Sequence, residues 1–296
     1  MSYAAKVLAD SIAYGVRLTT LEVTFPRFIL AEFNTHRVLS RNSASSRAIP
    51  VEKRIAQVRS NPFVPEAFGK NKSGMQASAD LGGWRATLAR WIWLLASKCA
   101  VVLAWCMSKL GVHKQHANRI LEPFVWHTVV VTATEWANFS ALRTHKAAQP
   151  EMQITAKLMR DAMDASTPVE RVVGEWHAPY LDPGEHFDDA VDAIVISVAR
   201  CAAVSYERQD AKKTLVEYRT RHDRLAASGH WSPFEHVAKV ATDEEQKTHA
   251  FYAYTDHGDP DLGGFVPAFI GNFRTPWLQY RKTFDGESVF TPEEGR

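Results

Sequence analysis

Between Thr35 and Arg47 the chain carries one histidine (His36), three arginines (Arg37, Arg41, Arg47), Asn42 and four serines (Ser40, Ser43, Ser45, Ser46). Serine hydroxyls, backbone N–H groups and a guanidinium fork are what a phosphate monoester needs for a dense set of charge-assisted hydrogen bonds. A solvated basic loop has the same composition, so this segment alone leaves both readings open. A second segment, NFSALRTHKAAQPE, puts Asn138, Leu142 and Arg143 on one helix, where a single arginine is ordinarily a surface residue. A third, HWSPFEH, sets His230, Glu235 and His236 beside a proline-fixed turn. Two histidines six residues apart on irregular chain are poor metal ligands, and no acidic third ligand accompanies His113 and His116. No metal is expected.

The chain has no G-x-G-x-x-G fingerprint and no phosphate-binding P-loop. Cys106 lies in an apolar helical stretch, where a thiol is inert packing. Difficult carbon chemistry would therefore have to come from a cofactor.

The elements that position these segments are mixed. Residues 3–25 read as a hairpin turning near Tyr14-Gly15. Pro26 is placed at the first position of a short helix, RFILAEFN, and the serine-rich segment after it as a loop. Residues 51–80 are polar enough for a surface excursion, and 84–110 read as helix. FVWHTVVVTA is a strand by its β-branched content, and Thr132 with Glu135 has the spacing of a capping box opening a helix. Pro150 opens the next helix, with Met152, Ala156, Met159 and Met163 as a core stripe. A Pro/Gly/acid-rich connection at 166–188 precedes helices at about 189–201 and 211–228, the second stopped by Gly229. VAKVAT and THAFYAY read as strands before an aromatic tail ending in PWLQYRK. The class is α+β, a twisted, largely antiparallel sheet packed with helices.

The 296 residues, 46% hydrophobic and 23% charged, suffice for one large domain or two intimate ones. A net charge of +2 gives no general case for a nucleic-acid or membrane partner. Three cysteines without paired spacing, and no signal-peptide layout at the start, point to the cytoplasm. The most apolar stretch, Trp91 to Met107, is interrupted by Lys98 and reads as a buried or subunit-facing helix rather than a membrane span.

Taken together, these segments resemble the flavin-dependent thymidylate synthases. His36-Arg37, seven residues and Ser45, closed by Ser46-Arg47, match that family's arginine-rich loop. PRFILAEFN looks like its proline-started helix. NRILEP around Arg119 and NFSALR-TH-KAAQPE resemble its later substrate- and flavin-contacting segments. CAAVSY (201–206) and GHWSPFEH (229–236) look like its serine and P-F-E-H elements, which in the common arrangement precede the loop. The resemblance covers about half the chain and implies a single domain, 1–296, in circularly permuted order. A helical insertion at about 51–112 and an extended segment at about 240–296 would be added to it. Such reconnection is tolerated where a fold's ends lie close together.

The resemblance implies C5 methylation of dUMP to dTMP, with FAD, methylenetetrahydrofolate and NADPH, in a homotetramer with shared active sites. Ala44, Ser45, Ser46 and Arg47 would hold the nucleotide, Ser45 and Arg47 on its phosphate. Arg119 and Arg143 would reach the pyrimidine as the catalytic pair, where a guanidinium stabilises negative charge developing on the ring. His36, Arg37, Val38, Asn42, Asn138, Leu142, His230, Ser232 and Glu235 would line the flavin. Departures from the family pattern stand at Thr35, Glu32, Ser43, Ser46 and Ala203. Glu32 would touch substrate, and a carboxylate accepts from an exocyclic amino group. C5 hydroxymethylation or methylation of dUMP or dCMP is therefore an alternative. A nucleotide-binding or assembly protein that has lost the chemistry is another.

Overall fold

The computed structural model describes residues 1–74, 76–77, 79–182, 184–187, 189–204, 213–246, 272–285 and 287. Ala4–Ala13 (β1) and Val16–Pro26 (β2) form the expected hairpin. Its turn puts Tyr14 at φ 48 and Gly15 at φ 77, the two left-handed residues that match the twist of paired strands. Pro26 is not a first helical residue. It ends β2, paired with Trp126, because its fixed φ of −62 suits an extended residue equally well. One 3-10 turn, Arg27–Ile29, then leads into the short helix Leu30–Phe33 (α1).

Within the segment read as loop, Ser40–Ser43 forms a strand (β3). Its polar side chains carry little strand propensity; backbone pairing to Val129–Thr132 imposes the conformation. Within the polar stretch read as a surface excursion, Val51–Ser60 (α2) is a helix that buries Val51, Ile55 and Val58 at helical spacing. Gly83–Lys109 (α3) follows, long and apolar enough to cross a membrane by length and composition, with 22% of its apolar window buried. It is therefore not a buried helix: only one face, with Ser97, Ala100, Val101 and Ala104, packs on α2 and the chain after it.

Lys114–Ala117 (α4) and a 3-10 stretch, Asn118–Phe124, lead into Trp126–Ala133 (β4). No capping box forms at Thr132 and Glu135. Thr132 lies in β4, and the helix Ala137–Arg143 (α5) starts after Trp136 without a side-chain cap. Pro150–Asp164 (α6) lays Met152, Ala156, Met159 and Met163 against the β1–β2–β4 face as the main core. The 166–188 connection contributes Val169–Glu170 (β5) and Trp176–His177 (β6). Ala190–Ala203 (α7) is capped by Asp189. Leu215–Ala227 (α8) starts later than the sequence suggested, because Thr214 and Glu217 form the capping box there. Ala238–Val240 (β7) and Trp277–Gln279 (β8) complete the described elements. The suggested strand THAFYAY, and Ser205 and Tyr206 of CAAVSY, lie outside the described residues.

The larger sheet has the order β3-β4-β2-β1-β5, antiparallel except for the β1–β5 edge; the smaller has β6-β7-β8. A buried polar chain links them. Ser11 Oγ meets His177 Nδ1 at 2.9 Å, and His177 Nε2 meets Thr20 Oγ1 at 2.8 Å. Thr20 meets Thr132 at 2.7 Å, and Thr132 meets His236 Nδ1 at 2.8 Å. Burial pushes the His177 and His236 pKa values down to about 3, with the charge of Arg171 adding to it at His177. Both rings fold neutral, while in the unfolded chain they take up protons below about pH 6.5. Stability should therefore fall between about pH 6.5 and pH 3, by up to ~1.4 kcal/mol per pH unit for each ring. Urea unfolding across that range checks this; stability flat from pH 7 to 5 would contradict it.

Candidate functional site

The segment from Thr35 to Arg47 is held at three places, and each fixes a separate group of predicted residues. At its start, Arg143 projects from the last turn of α5. Its Nε donates to His36 Nε2 at 2.7 Å, one terminal nitrogen donates to Thr35 Oγ1 at 3.0 Å, and the other pairs with the Glu32 carboxylate. Burial first, then the charges of Arg143 and Arg41, lowers the pKa of His36 and keeps its ring an acceptor. Arg41 turns back to donate to the His36 carbonyl at 3.0 Å.

In its middle the segment is strand β3. Asn42 donates to the Cys201 carbonyl at 2.7 Å and accepts from Ser232 Oγ at 3.2 Å. Ser232 opens the 3-10 turn Ser232–His236 that holds Glu235. Glu235 pairs with Arg281, which also reaches Glu287 at 2.6 Å. Gln279 donates to Ser40 Oγ at 2.8 Å and to the Glu235 carbonyl at 3.1 Å, tying the two segments together. His230 is exposed, bonded through Nδ1 to Ser228.

At its end the segment is tied through Ser46 to Glu122, in the wall of a cavity of about 430 Å³ lined by α1, the turn before it and the Arg119–Pro123 stretch. This volume is in the range of small-molecule sites. Glu122 in its wall pairs with Arg119 at 2.9 Å and Arg27 at 3.1 Å, and accepts from Ser46 Oγ. Arg27 also donates to the Ala44 carbonyl at 3.3 Å, and Asn118 to the carbonyls of Ser46 and Ile49 at 2.7 and 2.8 Å. Ser45 and Arg47 are left exposed, with the Arg47 N–H on Ser45 Oγ at 3.2 Å. Behind them Arg54 is buried, its pKa pushed down to about 10 by burial and then by the charge of Arg27. One of its N–H groups has no partner among the described residues. Arg27, Arg54 and Arg119 thus gather around one carboxylate, an excess of positive charge suited to an anion.

The structure therefore joins Ala44–Arg47 with Arg119, joins Glu32 and His36 with Arg143, and joins Asn42 with Ser232. It does not bring Arg119 and Arg143 into one contact: Leu30, Ala31 and Asn34 face the cavity, whereas Glu32 holds Arg143. The side chains of Arg37 and Asn138 make no hydrogen bond among the described residues, and beside them Val38 and Leu142 are 49% and 54% exposed. Apolar surface flanked by unspent donors fits a flat cofactor ring edged by carbonyl and phosphate oxygens, so these residues are compatible with FAD. Sequence reasoning missed Arg27, Arg54, Asn118 and Glu122. The i, i+3 spacing of Arg119 and Glu122 was the available signal; Arg54 looked like one more cation of a surface segment.

The exposed Ser45 and Arg47 and the clustered guanidinium groups of Arg27, Arg54 and Arg119 are donors suited to an anion. A family model described as thymidylate synthase complementing protein matches residues 16–169, more than half of the chain. The chain belongs to that family, of thymidylate synthase-like enzymes. No curated protein matches it. Among solved structures, the UMP/dUMP methylase PolB from Streptomyces cacaoi, bound with 5-Br dUMP, is 15% identical with a TM-score of 0.44, over 55% of this chain and 90% of that one. The same enzyme bound with 5-Br UMP is 16% identical with a TM-score of 0.46, over 55% and 89%. The flavin-dependent thymidylate synthase ThyX of Helicobacter pylori, complexed with FAD and dUMP, is 19% identical with a TM-score of 0.37, over 49% and 67%.

Replacing Arg143 by alanine should leave the fold intact, since alanine is favourable in α5. It should also raise the pKa of His36 toward the ordinary value, because a neighbouring positive charge is removed. NMR titration of the His36 ring checks this. An unmoved titration would mean that Arg143 does not sit against it.

Proposed function

We propose that the chain methylates carbon 5 of dUMP to give dTMP, with FAD, methylenetetrahydrofolate and NADPH, and that it works as a cytoplasmic homotetramer. The observation that carries this reading is the cavity walled by Arg27, Arg119 and Glu122, to which the end of the Thr35–Arg47 segment is tied through the Ser46–Glu122 and Arg27–Ala44 contacts. Ser45 and Arg47 take the phosphate, with the backbone around them fixed by Arg27, Asn118 and Glu122. Arg119 reaches the base oxygens, where its charge is worth most as negative charge builds on the ring. Arg143 serves a second copy's substrate or the flavin edge, since its own cavity lies on the other side of α1. His36, Arg37, Val38, Asn42, Asn138, Leu142, His230, Ser232 and Glu235 hold the flavin. When bound, reduced flavin supplies the hydride and the folate supplies the one-carbon unit. No protein nucleophile is needed: Cys201 is buried, and its thiol is pushed up out of the reactive range.

Uracil is favoured over cytosine because the Glu32 carboxylate, which would select an exocyclic amine, is already occupied by Arg143. The permuted order also enters the proposal. It is supported by the family match ending at residue 169, ahead of the HWSPFEH segment that nevertheless packs beside the loop.

The product decides the chemistry. Mass spectrometry of the nucleotide formed from dUMP should show addition of a methyl group; an adduct heavier by one oxygen would be hydroxymethyl and would overturn the methylation. Ser45→Ala should weaken dUMP binding by about 1 kcal/mol or more, the scale of a hydrogen bond to a charged group. Unchanged affinity in a calorimetric titration would place the phosphate elsewhere.

A further inference from the structure

Helix α3 packs one face on the body of the protein and leaves a broad apolar arc outside it, which includes Ile92 and Leu103 at 59% and 54% exposed. At 3.6 residues per turn, Ser97, Ala100 and Ala104 share the face packed on the body of the protein. Trp84, Trp91, Leu95 and Trp105 lie on the opposite face, 71%, 63%, 60% and 52% exposed. That outer stripe is regular. From Trp84 to Trp105 it advances by alternating steps of four and three residues, through the aliphatic Leu88 and Val102, with Lys98 its one charge. A four-three repeat of apolar side chains is a seam for another helix.

We propose that α3 pairs antiparallel with α3 of a second copy of this chain, about a two-fold axis at Leu95. The stripe has an odd number of positions, and Leu95 is its centre. Antiparallel pairing then sets Trp84 against Trp105 of the second copy, and Lys98 against the ring of Trp91 of the second copy, a cation–π contact made twice. Parallel pairing would instead stack Lys98 on Lys98 inside an apolar seam. A lipid surface would have to take Lys98 at the middle of its immersed face. The pair removes that conflict by charge complementarity.

The area is just sufficient. A tryptophan side chain buries ~150–250 Å², so the three on this face leave on the order of 350 Å² open on each copy. With the aliphatic side chains between them, two copies can remove up to about 1,000 Å² from water, the lower limit for a specific interface.

The test uses the full chain. Light scattering should give the wild type as a dimer or a multiple of two. Leu95→Glu, at an exposed position, should halve that mass while leaving far-UV circular dichroism unchanged. In a Cys99→Ser, Cys106→Ser background, oxidised Leu95→Cys should give a dimer that resists detergent and is released by thiol, while Leu88→Cys should not. In an antiparallel pair only a residue on the axis meets its own copy, whereas a parallel pair would cross-link at both. Equal masses for wild type and Leu95→Glu, or no cross-link, would overturn the pairing. So would wild-type binding to phosphatidylserine–phosphatidylcholine vesicles that Leu95→Glu abolishes with the mass unchanged, which would assign the face to lipid.

Discussion

The backbone pairing of Ser40–Ser43 with the outer edge of β4 is the constraint on which the rest of the site depends. It turns a polar, serine-rich segment into a fixed bar with both ends free to carry chemistry. His36 lies before the bar and Ser45–Arg47 after it, so each end is aimed by a strand rather than by the loop's own preferences. β4 is in turn the neighbour of β2, whose last residue, Pro26, delivers Arg27 and α1 to the cavity wall. One sheet edge thereby positions Ser45 and Ser46, the guanidinium cluster and the surface that meets α5.

Charge around the cavity is arranged as an incomplete balance. Glu122 satisfies Arg27 and Arg119 and the Ser46 hydroxyl at once, in the manner of a phosphate with several acceptor oxygens. Arg54 stands behind them without a carboxylate of its own among the described residues and with an unpaired N–H. A buried, under-compensated cation costs stability, and an arriving anion offsets part of that cost. His127 does not add to the charge, because burial and the nearby arginines hold its pKa down at about 3 and keep it neutral. The region is thus poised for one added anion rather than for a metal or a second cation.

Much of this was legible in the sequence. The hairpin, β4 and the Met152–Met163 stripe follow from periodicity and turn chemistry, and the match of the Thr35–Arg47 segment rests on its own spacing. What sequence missed is long-range in origin. Strand β3 owes its shape to a partner some ninety residues away, and Thr132 looks like a helix cap until its hydroxyl is found between Thr20 and His236. Arg54 is indistinguishable from a solvated cation until α2 folds over the Asn118–Phe124 turn. The separation of Arg119 from Arg143 across α1 is likewise a property of three-dimensional placement. It makes an assembly with shared sites a natural way for both arginines to serve one nucleotide.

The most direct measurement is the visible spectrum of the purified full chain with added FAD, titrated with dUMP and then, separately, with dCMP. The account predicts a bound flavin band that dUMP perturbs saturably and dCMP does not. A protein that binds no flavin, or whose flavin responds to neither nucleotide, would contradict it.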